Sequence, residues 1–352
     1  MSTYLRYLLL PFSLLYGIVT LIRNKLFDMG VLRSQTFDLP LICIGNLAVG
    51  GSGKTPVTEY IVTLLQGKRI AILSRGYGRV TKGYIKADIT STADTIGDEP
   101  LQYFHKFTDV TVAVCEDRIT GINRLKGDHD IILLDDAFQH RKVKAGLNVL
   151  LFEYTSFNKP QFLLPAGNLR EFFGGYRRAD IALITKSPEA PTEKAVLNIR
   201  HKFNSDQTIP VLFSHLSYQQ IKGVYKNNSF SKVWNEQSTI YLLTGIANPK
   251  PMLEYLKQHS KSVTHHDFPD HYKFSLQNIT ELISVFHKDP ATNKIIITTE
   301  KDAQRLLDAS IKELLLDLPI FYLPIQVVIN ELDKSTFDQK ILDYVSSTTR
   351  NR

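Results

Sequence analysis

The chain has 352 residues, of which 43% are hydrophobic and 22% charged, a composition typical of a globular protein long enough for two domains. The two cysteines, Cys43 and Cys115, lie in apolar, strand-like runs, which excludes a disulfide framework or a zinc-binding spacing and is typical of a reducing compartment. The net charge of +7 favours an anionic partner, such as a nucleotide, a nucleic acid or an acidic lipid surface.

The first predicted element is an apolar helix near the N-terminus. Residues 7–22 carry no charge and lie between Arg6 and Arg23. At about 1.5 Å per residue this run is slightly short for a hydrocarbon core about 30 Å thick, and its basic flanks suit a helix lying in an anionic membrane surface. A signal peptide is disfavoured because the run ends in Arg-Asn-Lys. A buried domain helix remains the alternative.

Next, an apolar strand runs into a glycine-rich turn that ends in Lys-Thr, the pattern of a P-loop. Its glycines let main-chain N–H groups approach phosphate oxygens, Lys54 supplies a cation for the β- and γ-phosphates, and the Thr55 hydroxyl is a Mg²⁺ ligand. The first consensus position is Ala48 instead of glycine, and a chance glycine turn before a lysine is the alternative. The predicted ATP-binding residues are Ala48, Val49, Gly50, Gly51, Ser52, Gly53, Lys54 and Thr55.

From residue 40 to about residue 186, short apolar runs alternate with helical or loop segments. Such runs predict an α/β fold with a P-loop NTPase-like parallel sheet covered by helices, which binds ligands at the carboxyl ends of its strands. The predicted strands are Leu41–Ile44, Arg69–Leu73, Val110–Val114, Ile131–Leu134, Val149–Phe152 and Ile181–Ile184.

The remaining chain predicts a second, smaller α/β lobe that contributes to the active-site cleft. We place its strands at Val211–Phe213, Thr239–Leu243, Lys294–Ile297 and Ile320–Leu323, and its helices at Pro249–His259, Leu276–Phe286 and Lys301–Leu307. Residues 223–237 suggest a hairpin, and residues 346–352 a frayed tail. The predicted division is 1–27 for the membrane-associated helix, 28–195 for the kinase core and 196–352 for the C-terminal lobe.

Acidic residues follow several of these strands. Asp135 and Asp136 end an apolar strand, where two neighbouring carboxylates are costly without a cation, so we interpret them as Mg²⁺ ligands; a solvated strand end or a helix N-cap is the alternative. Asp98 and Glu99 precede a proline, which alone is typical of a surface turn. In a kinase, a carboxylate there orients and deprotonates the acceptor hydroxyl.

Basic residues complete the candidate site. The loop 74–79 (SRGYGR) brings two arginines after a strand, either to bind phosphate or as a solvated loop. The string 164–171 leaves the same two interpretations open: a solvated loop, or a site in which Arg170 neutralises the transferring phosphoryl group and Glu171 orients it or reaches the metal. His271, next to Asp270, is either a structural histidine or a proton-handling one.

Taken together, these strings resemble the tetraacyldisaccharide 4′-kinase family, LpxK, the lipid A 4′-kinases. They occur in the family's order from about residue 40 to about residue 307, and the family also lacks the first P-loop glycine. The strings are GNLAVGGSGKTP, SRGYGR, GDEP, LLDDAFQHR, LLPAGNLRE, TGIANP, FPDHYKF and TTEKDAQRL.

The resemblance implies a kinase at the cytoplasmic face of the inner membrane, peripheral or monotopic, that transfers the γ-phosphoryl group of ATP to the 4′-hydroxyl of tetraacyldisaccharide 1-phosphate. The product is a lipid IVA type precursor of lipopolysaccharide. The implied catalytic residues are Lys54, Arg170 and Asp98, the base, which works with His271 as a dyad. The implied metal residues are Thr55, Glu99, Asp135, Asp136 and Glu171.

The expected partners are an acylated disaccharide phosphate lipid and an anionic membrane surface, with no nucleic acid and no obligate protein partner. Two other functions stay open on the residues alone: a P-loop kinase for a soluble hydroxyl compound, and a non-enzymatic nucleotide switch. The switch is disfavoured because Pro188 stands where a guanine-reading motif beginning at Thr185 needs Asp. Nucleic-acid binding rests on charge alone, since the basic residues are dispersed.

Overall fold

The apolar runs of the chain form strands in two sheets of the computed structural model, which describes residues 6–203, 209–225 and 234–350. The strands are β1 Leu41–Asn46, β2 Ile70–Ser74, β3 Ile85–Lys86, β4 Val110–Val114, β5 Ile131–Asp135, β6 Leu147–Glu153, β7 Ile181–Thr185, β8 Val211–Tyr218, β9 Lys222–Gly223, β10 Thr239–Thr244, β11 Ser262–Asp267, β12 Lys294–Thr299, β13 Ile320–Leu323 and β14 Ile325–Ile329.

One helix precedes the first strand, and the other helices lie between or after the strands. They are α1 Leu10–Asp28, α2 Lys54–Leu64, α3 Ala93–Ile96, α4 Asp98–Lys106, α5 Arg118–Leu125, α6 Glu193–Lys202, α7 Lys250–Gln258, α8 Leu276–Lys288, α9 Glu300–Arg305, α10 Ala309–Lys312 and α11 Glu331–Arg350. Short 3₁₀ helices span Tyr154–Asn158 and Phe173–Arg178.

The larger sheet has nine strands in the order β14-β8-β7-β6-β1-β5-β2-β4-β3. Strand β1 pairs in parallel with both β5 and β6, and all of its residues are buried. Ile42 and Ile44 face one hydrophobic core, while Leu41 and Cys43 face another. Both faces of the sheet are therefore covered, and the predicted parallel, P-loop-like α/β core is confirmed.

The smaller sheet has five strands in the order β11-β10-β12-β13-β9. Strands β10 to β13 pair in parallel, and β9 joins the edge in the antiparallel direction. The connection after β10 runs to β11 on one side, whereas the connection after β12 runs to β13 on the other side. The carboxyl ends of β10 and β12 therefore form a topological switch point, where open α/β sheets bind ligands. This sheet forms the predicted second α/β lobe.

The two sheets do not divide at the predicted boundary after residue 195, because strands that follow this residue occur in both of them. Strands β8 and β14 belong to the nine-stranded sheet, and α11 packs on them through Phe337 and Ile341. The frayed tail predicted from Ser346 is wrong for residues 346–350, which continue α11. Most of the hairpin predicted at 223–237 lies outside the described residues, and Lys222–Gly223 instead pairs with β13.

Helix α1 packs against the lobe of the nine-stranded sheet and buries only a narrow strip of its surface there. Ser13 and Gly17 are its buried residues, and a Cβ at Gly17 would lie 2.6 Å from Cδ1 of Leu163, so the close approach requires glycine. The opposite side exposes large apolar residues: Phe12, Leu14, Leu15, Ile18, Val19, Leu21 and Ile22. Within the described ranges, no helix is both long and apolar enough to cross a membrane.

Candidate active site

The glycine-rich turn after β1 forms the phosphate cradle. Gly50 and Gly53 have φ angles of 113° and 82°, a backbone region that glycine adopts without strain. Gly53 caps α2, so the helix begins at Lys54 and directs its N-terminus toward the turn. The turn is held in place by Thr185, whose Oγ1 donates to the carbonyl of Ser52 at 2.8 Å, and by Val49, whose N–H donates to the Asn168 carbonyl at 2.8 Å.

Lys54 and Arg170 converge on Asp136. The guanidinium of Arg170 donates to both carboxylate oxygens of Asp136, at 2.8 and 3.0 Å, and Nζ of Lys54 lies 3.7 Å from Oδ1. Burial acts to raise the pKa of Asp136, but Lys54 and Arg170 together lower it below its usual value. Asp136 therefore remains ionised and presents two cations beside the phosphate cradle, an arrangement that suits a polyphosphate.

Asp135 is a fully buried carboxylate with an unfilled position. Its Oδ2 accepts a long hydrogen bond of 3.4 Å from the Tyr103 hydroxyl, and its Oδ1 has no partner among the described residues. Burial raises the pKa of Asp135 to about 7, and the nearby charges of Glu99 and Asp136 add to the increase. A buried anion without a partner is costly, and a bound cation at Oδ1 would satisfy it.

Asp98 and His271 meet across the two lobes. Asp98 begins α4, whereas His271 follows β11 and has a φ of 59°, an uncommon conformation for a residue with a side chain. Nδ1 of His271 lies 2.9 Å from Oδ2 of Asp98, and Nη2 of Arg305 donates to the same oxygen at 2.5 Å. Oδ1 of Asp98 is left without a hydrogen-bond partner among the described residues.

The two halves of the site are joined through Glu99 and α4. Oε1 of Glu99 lies 3.7 Å from Nζ of Lys301, which in turn lies 3.1 Å from Nε2 of His271. Toward the nucleotide side, the negative charge of Glu99 raises the pKa of Asp135. The structure therefore brings Glu99, predicted in an acidic turn, close enough to Asp135, predicted at a strand end, for their charges to interact.

Glu171 lies in a different environment. Its Oε1 accepts from Nε2 of Gln139 at 3.0 Å, and its Oε2 accepts from Nδ2 of Asn24 at 2.9 Å and pairs with Arg178. Both oxygens are thus already engaged, and the bond from Asn24 to Oε2 ties the C-terminal half of α1 to the larger lobe. We therefore leave Glu171 out of the metal site proposed below.

Sequence reasoning gave no role to Lys301, Asp302 or Arg305, all on α9. Their string, which is part of the family resemblance, follows β12 directly. Polar and charged residues just after a buried strand were the signal used for Asp135 and Asp136, and the same signal applied here.

Comparisons with known proteins cover nearly the whole chain. The family model described as LpxK, tetraacyldisaccharide-1-P 4′-kinase, matches residues 5–346. A tetraacyldisaccharide 4′-kinase of Flavobacterium johnsoniae is 43% identical over 347 residues, covering 97% of each chain. One from Flavobacterium psychrophilum is 44% identical over 356 residues, covering 99% of each. The crystal structure of LpxK from Aquifex aeolicus in complex with ATP is similar with a TM-score of 0.72 and 30% identity, covering 97% of this chain and 99% of that one.

Proposed function

The chain belongs to the LpxK family of tetraacyldisaccharide-1-P 4′-kinases, as its motifs predicted, and we propose that it carries out this family's reaction at the site described above. It is an ATP-dependent kinase of lipid A biosynthesis that phosphorylates the 4′-hydroxyl of tetraacyldisaccharide 1-phosphate to give lipid IVA. Family membership favours this reaction over the soluble-substrate kinase and the nucleotide switch. The observation that carries the proposal is the Asp98–His271 pair at 2.9 Å, held across the lobes next to Glu99, whose charge raises the pKa of Asp135 on the nucleotide side.

ATP is bound by the turn before α2. Main-chain N–H groups of the glycine-rich turn, other than those of Val49 and Ser52, which donate to main-chain carbonyls, hold the phosphates together with the N-terminus of α2. Lys54 lies at the start of that helix. The related Aquifex aeolicus protein was crystallised with ATP, which supports the same ligand here. Arg170, held by two hydrogen bonds to the Asp136 carboxylate, neutralises the charge that develops on the transferred group.

Asp98 receives the proton of the acceptor hydroxyl. Its Oδ2 is occupied by His271 and Arg305, so Oδ1 is the atom that accepts the 4′-O–H. The sugar oxygen forms its bond to the γ-phosphorus as the bond from phosphorus to the β–γ bridging oxygen breaks; the proton moves to Asp98 and ADP leaves. Burial acts to raise the pKa of Asp98, but the hydrogen bonds from His271 and Arg305 lower it to about 2. An ionised carboxylate that orients the hydroxyl suffices, since phosphoryl transfer depends on positioning and charge more than on a strong base.

Mg²⁺ fits the acids beside this group. Asp135, with its unpartnered Oδ1, is the first candidate ligand, and Thr55 and Glu99 complete the proposed set. Among the described residues no cluster of three or more His, Cys, Asp or Glu side chains could hold a metal. That finding suits Mg²⁺, which is usually bound by one or two carboxylates together with water and substrate phosphates. A Mg²⁺ ion held by these residues would supply positive charge that offsets the negative charge of the phosphate groups.

Helix α1 binds the membrane that holds the lipid substrate. Its outward side exposes Leu14, Leu15 and Ile18, and basic residues flank the apolar run. A helix of this kind lies in the interface of an anionic bilayer with its apolar side in the acyl region. Because ATP is the phosphoryl donor, we assign this contact to the cytoplasmic face of the inner membrane.

The test is the incubation of γ-³²P-labelled ATP with tetraacyldisaccharide 1-phosphate in mixed micelles, followed by thin-layer separation. We expect a labelled bisphosphorylated lipid from the wild-type protein and little from Lys54→Met or Asp98→Asn. Transfer of label to a soluble sugar but not to the lipid, or a wild-type protein that forms no labelled lipid, would contradict the proposal.

A further inference from the structure

Helix α9 of the smaller lobe reaches the two groups that we assign to the acceptor side. It begins after Thr299, at the carboxyl end of β12, and packs against α4 of the larger lobe, which carries Asp98. Two of its cations point at the pair: Arg305 at Asp98 and Lys301 at His271. Neither has a role in the mechanism above beyond these contacts.

Arg305 is clamped between two carboxylates. Its Nη2 donates to Oδ2 of Asp98 at 2.5 Å, and its Nη1 donates to Oδ1 of Asp302 at 2.6 Å and to the Gly245 carbonyl at 3.0 Å. Asp302 is itself fully buried and fixed, because its Oδ2 accepts from the Gly245 N–H at 3.0 Å and from Oγ1 of Thr299 at 2.7 Å. The guanidinium therefore connects the carboxylate of Asp98 to Asp302, which is fixed at the end of β12.

Lys301 fixes the hydrogen on the His271 ring. Its Nζ lies 3.1 Å from Nε2 of His271, and an ammonium group only donates hydrogen bonds. Nε2 is therefore the acceptor, so the ring proton sits on Nδ1 and is donated to Oδ2 of Asp98 at 2.9 Å. The Tyr77 ring, whose centroid lies 5.1 Å from that of the imidazole, flanks the same side chain.

We propose that Arg305 and Lys301 are positioning residues for the Asp98–His271 pair: Arg305 holds Oδ2 of Asp98 so that Oδ1 is presented to the acceptor hydroxyl, and Lys301 holds His271 in the Nδ1–H tautomer. The inference rests on the proposed function, because it assigns these residues to the acceptor side of that reaction. Arg305 has no contact with the nucleotide cradle among the described contacts, so we expect it to act on turnover rather than on ATP binding.

A purely structural role for Arg305 is the competing explanation, since it also ties the two lobes together. The two roles predict different measurements. A structural tie affects the amount and stability of folded enzyme, whereas a positioning residue affects kcat per folded molecule.

The first experiment compares Arg305→Met, Arg305→Lys and the control Arg69→Met. Arg69 also pairs with an aspartate, Asp130 at 2.6 Å, but on the surface, so its loss removes the same charge. We expect kcat of folded Arg305→Met to fall about a hundredfold, the effect of misplacing a reacting group by about 1 Å, with KM for ATP unchanged. Arg305→Lys keeps a cation but not the two-pronged contact, so we expect an intermediate kcat.

A wild-type kcat in folded Arg305→Met would overturn the role of Arg305. If Arg305→Met does not fold, a wild-type kcat in folded Arg305→Lys would overturn it instead. Asp98→Asn, assayed in parallel, separates the two proposals: if it keeps normal turnover, or if the wild type forms no labelled lipid, the proposed function itself is wrong.

The second experiment reads the His271 ring directly. In ¹⁵N-labelled protein, with the His271 signals assigned by their loss in His271→Gln, we expect the Nδ1–H tautomer in the wild type and a loss of this preference in Lys301→Met. This readout does not depend on activity. An Nε2–H tautomer in the wild type, or an unchanged tautomer in Lys301→Met, would overturn the role of Lys301.

Discussion

The hydroxyl of Tyr16 donates a hydrogen bond of 2.8 Å to the main-chain carbonyl of Arg170, which connects helix α1 to the arginine that we place at the transferred phosphate. Two further contacts extend this connection. Oγ of Ser13 donates to the Leu163 carbonyl at 3.0 Å, and Asn24 donates to Glu171, the neighbour of Arg170. The helix proposed to lie in the membrane and the loop that carries Arg170 therefore form one packed unit.

Gly17→Leu tests this connection. Even a Cβ at Gly17 would lie 2.6 Å from Cδ1 of Leu163 and 2.9 Å from Cζ of Phe172, so a leucine must displace α1 or the loop. Overpacking of this kind costs about 1–3 kcal/mol, and we expect a lower unfolding midpoint together with a reduced kcat. Ile18→Leu, on the exposed side of α1, is the control. Normal kcat and stability in Gly17→Leu would show that the packing of α1 does not matter for the site.

Leu14→Asp combined with Ile18→Asp tests membrane binding. These side chains are 63% and 47% exposed, and we expect cosedimentation with phosphatidylethanolamine–phosphatidylglycerol vesicles to weaken about tenfold or more, because burying each side chain contributes roughly 1.5–3 kcal/mol. Leu197→Asp with Val285→Asp adds the same charge at exposed apolar positions on other helices and serves as the control. Equal loss of vesicle binding in both double variants would instead indicate an unspecific effect of negative charge.

Lys54→Met tests the nucleotide side of the site. Nζ of Lys54 lies 3.7 Å from Asp136 and 3.4 Å from Oδ1 of Asn46, where it faces the phosphate cradle. We expect kcat to fall about a hundred- to a thousandfold, since removing one preorganised charge at a developing anion has about that effect. Lys68→Met, at an exposed position after α2, is the control. Retained turnover in Lys54→Met would contradict its role at the phosphates.

Asp98→Asn tests the acceptor side. The amide cannot take up the proton of the 4′-hydroxyl, so we expect kcat to fall about a hundred- to ten-thousandfold while KM for ATP stays near that of the wild type. Asp94→Asn is the matched control, because Asp94 is an exposed carboxylate nearby that pairs with Lys273 at 2.6 Å. A large rise in KM for ATP with normal kcat would move Asp98 from catalysis to nucleotide binding.

The sequence predicted the strands of the larger sheet well because their apolar runs are buried on both faces, as in β1. It missed β11, Ser262–Asp267, whose polar residues lie at the edge of the smaller sheet and carry little apolar signal. It also missed the return of β14 to the larger sheet, because the pairing of β14 with β8 is a long-range contact that no local sequence pattern indicates. Within the site, the position of Arg305 shortly after a buried strand marks it as a candidate, but its pairing with Asp98 and Asp302 depends on the tertiary fold.

A buried acid between the lobes gives a pH-dependent stability. Glu59 accepts from Nε2 of Gln102 at 2.9 Å and from Nζ of Lys106 at 2.8 Å, and Lys106 also binds Glu300 of the smaller lobe. Burial raises the pKa of Glu59 from 4.5 to about 7, although Lys106 opposes the increase. Between these pH values the folded protein retains a proton that the unfolded chain releases, so the contribution of Glu59 to stability falls as the pH rises from about 4.5 to about 7.

Glu59→Gln mimics the protonated acid, and Gln102 keeps its bond by reversing its amide. We expect the variant to match the wild type in urea unfolding near pH 5 and to exceed it at pH 8 by an amount on the order of 1–3 kcal/mol. Glu193→Gln, at an exposed position on α6, is the control and has no such dependence. A wild-type protein that gains stability relative to Glu59→Gln between pH 5 and pH 8 would show that Glu59 is ionised throughout, with Lys106 outweighing burial.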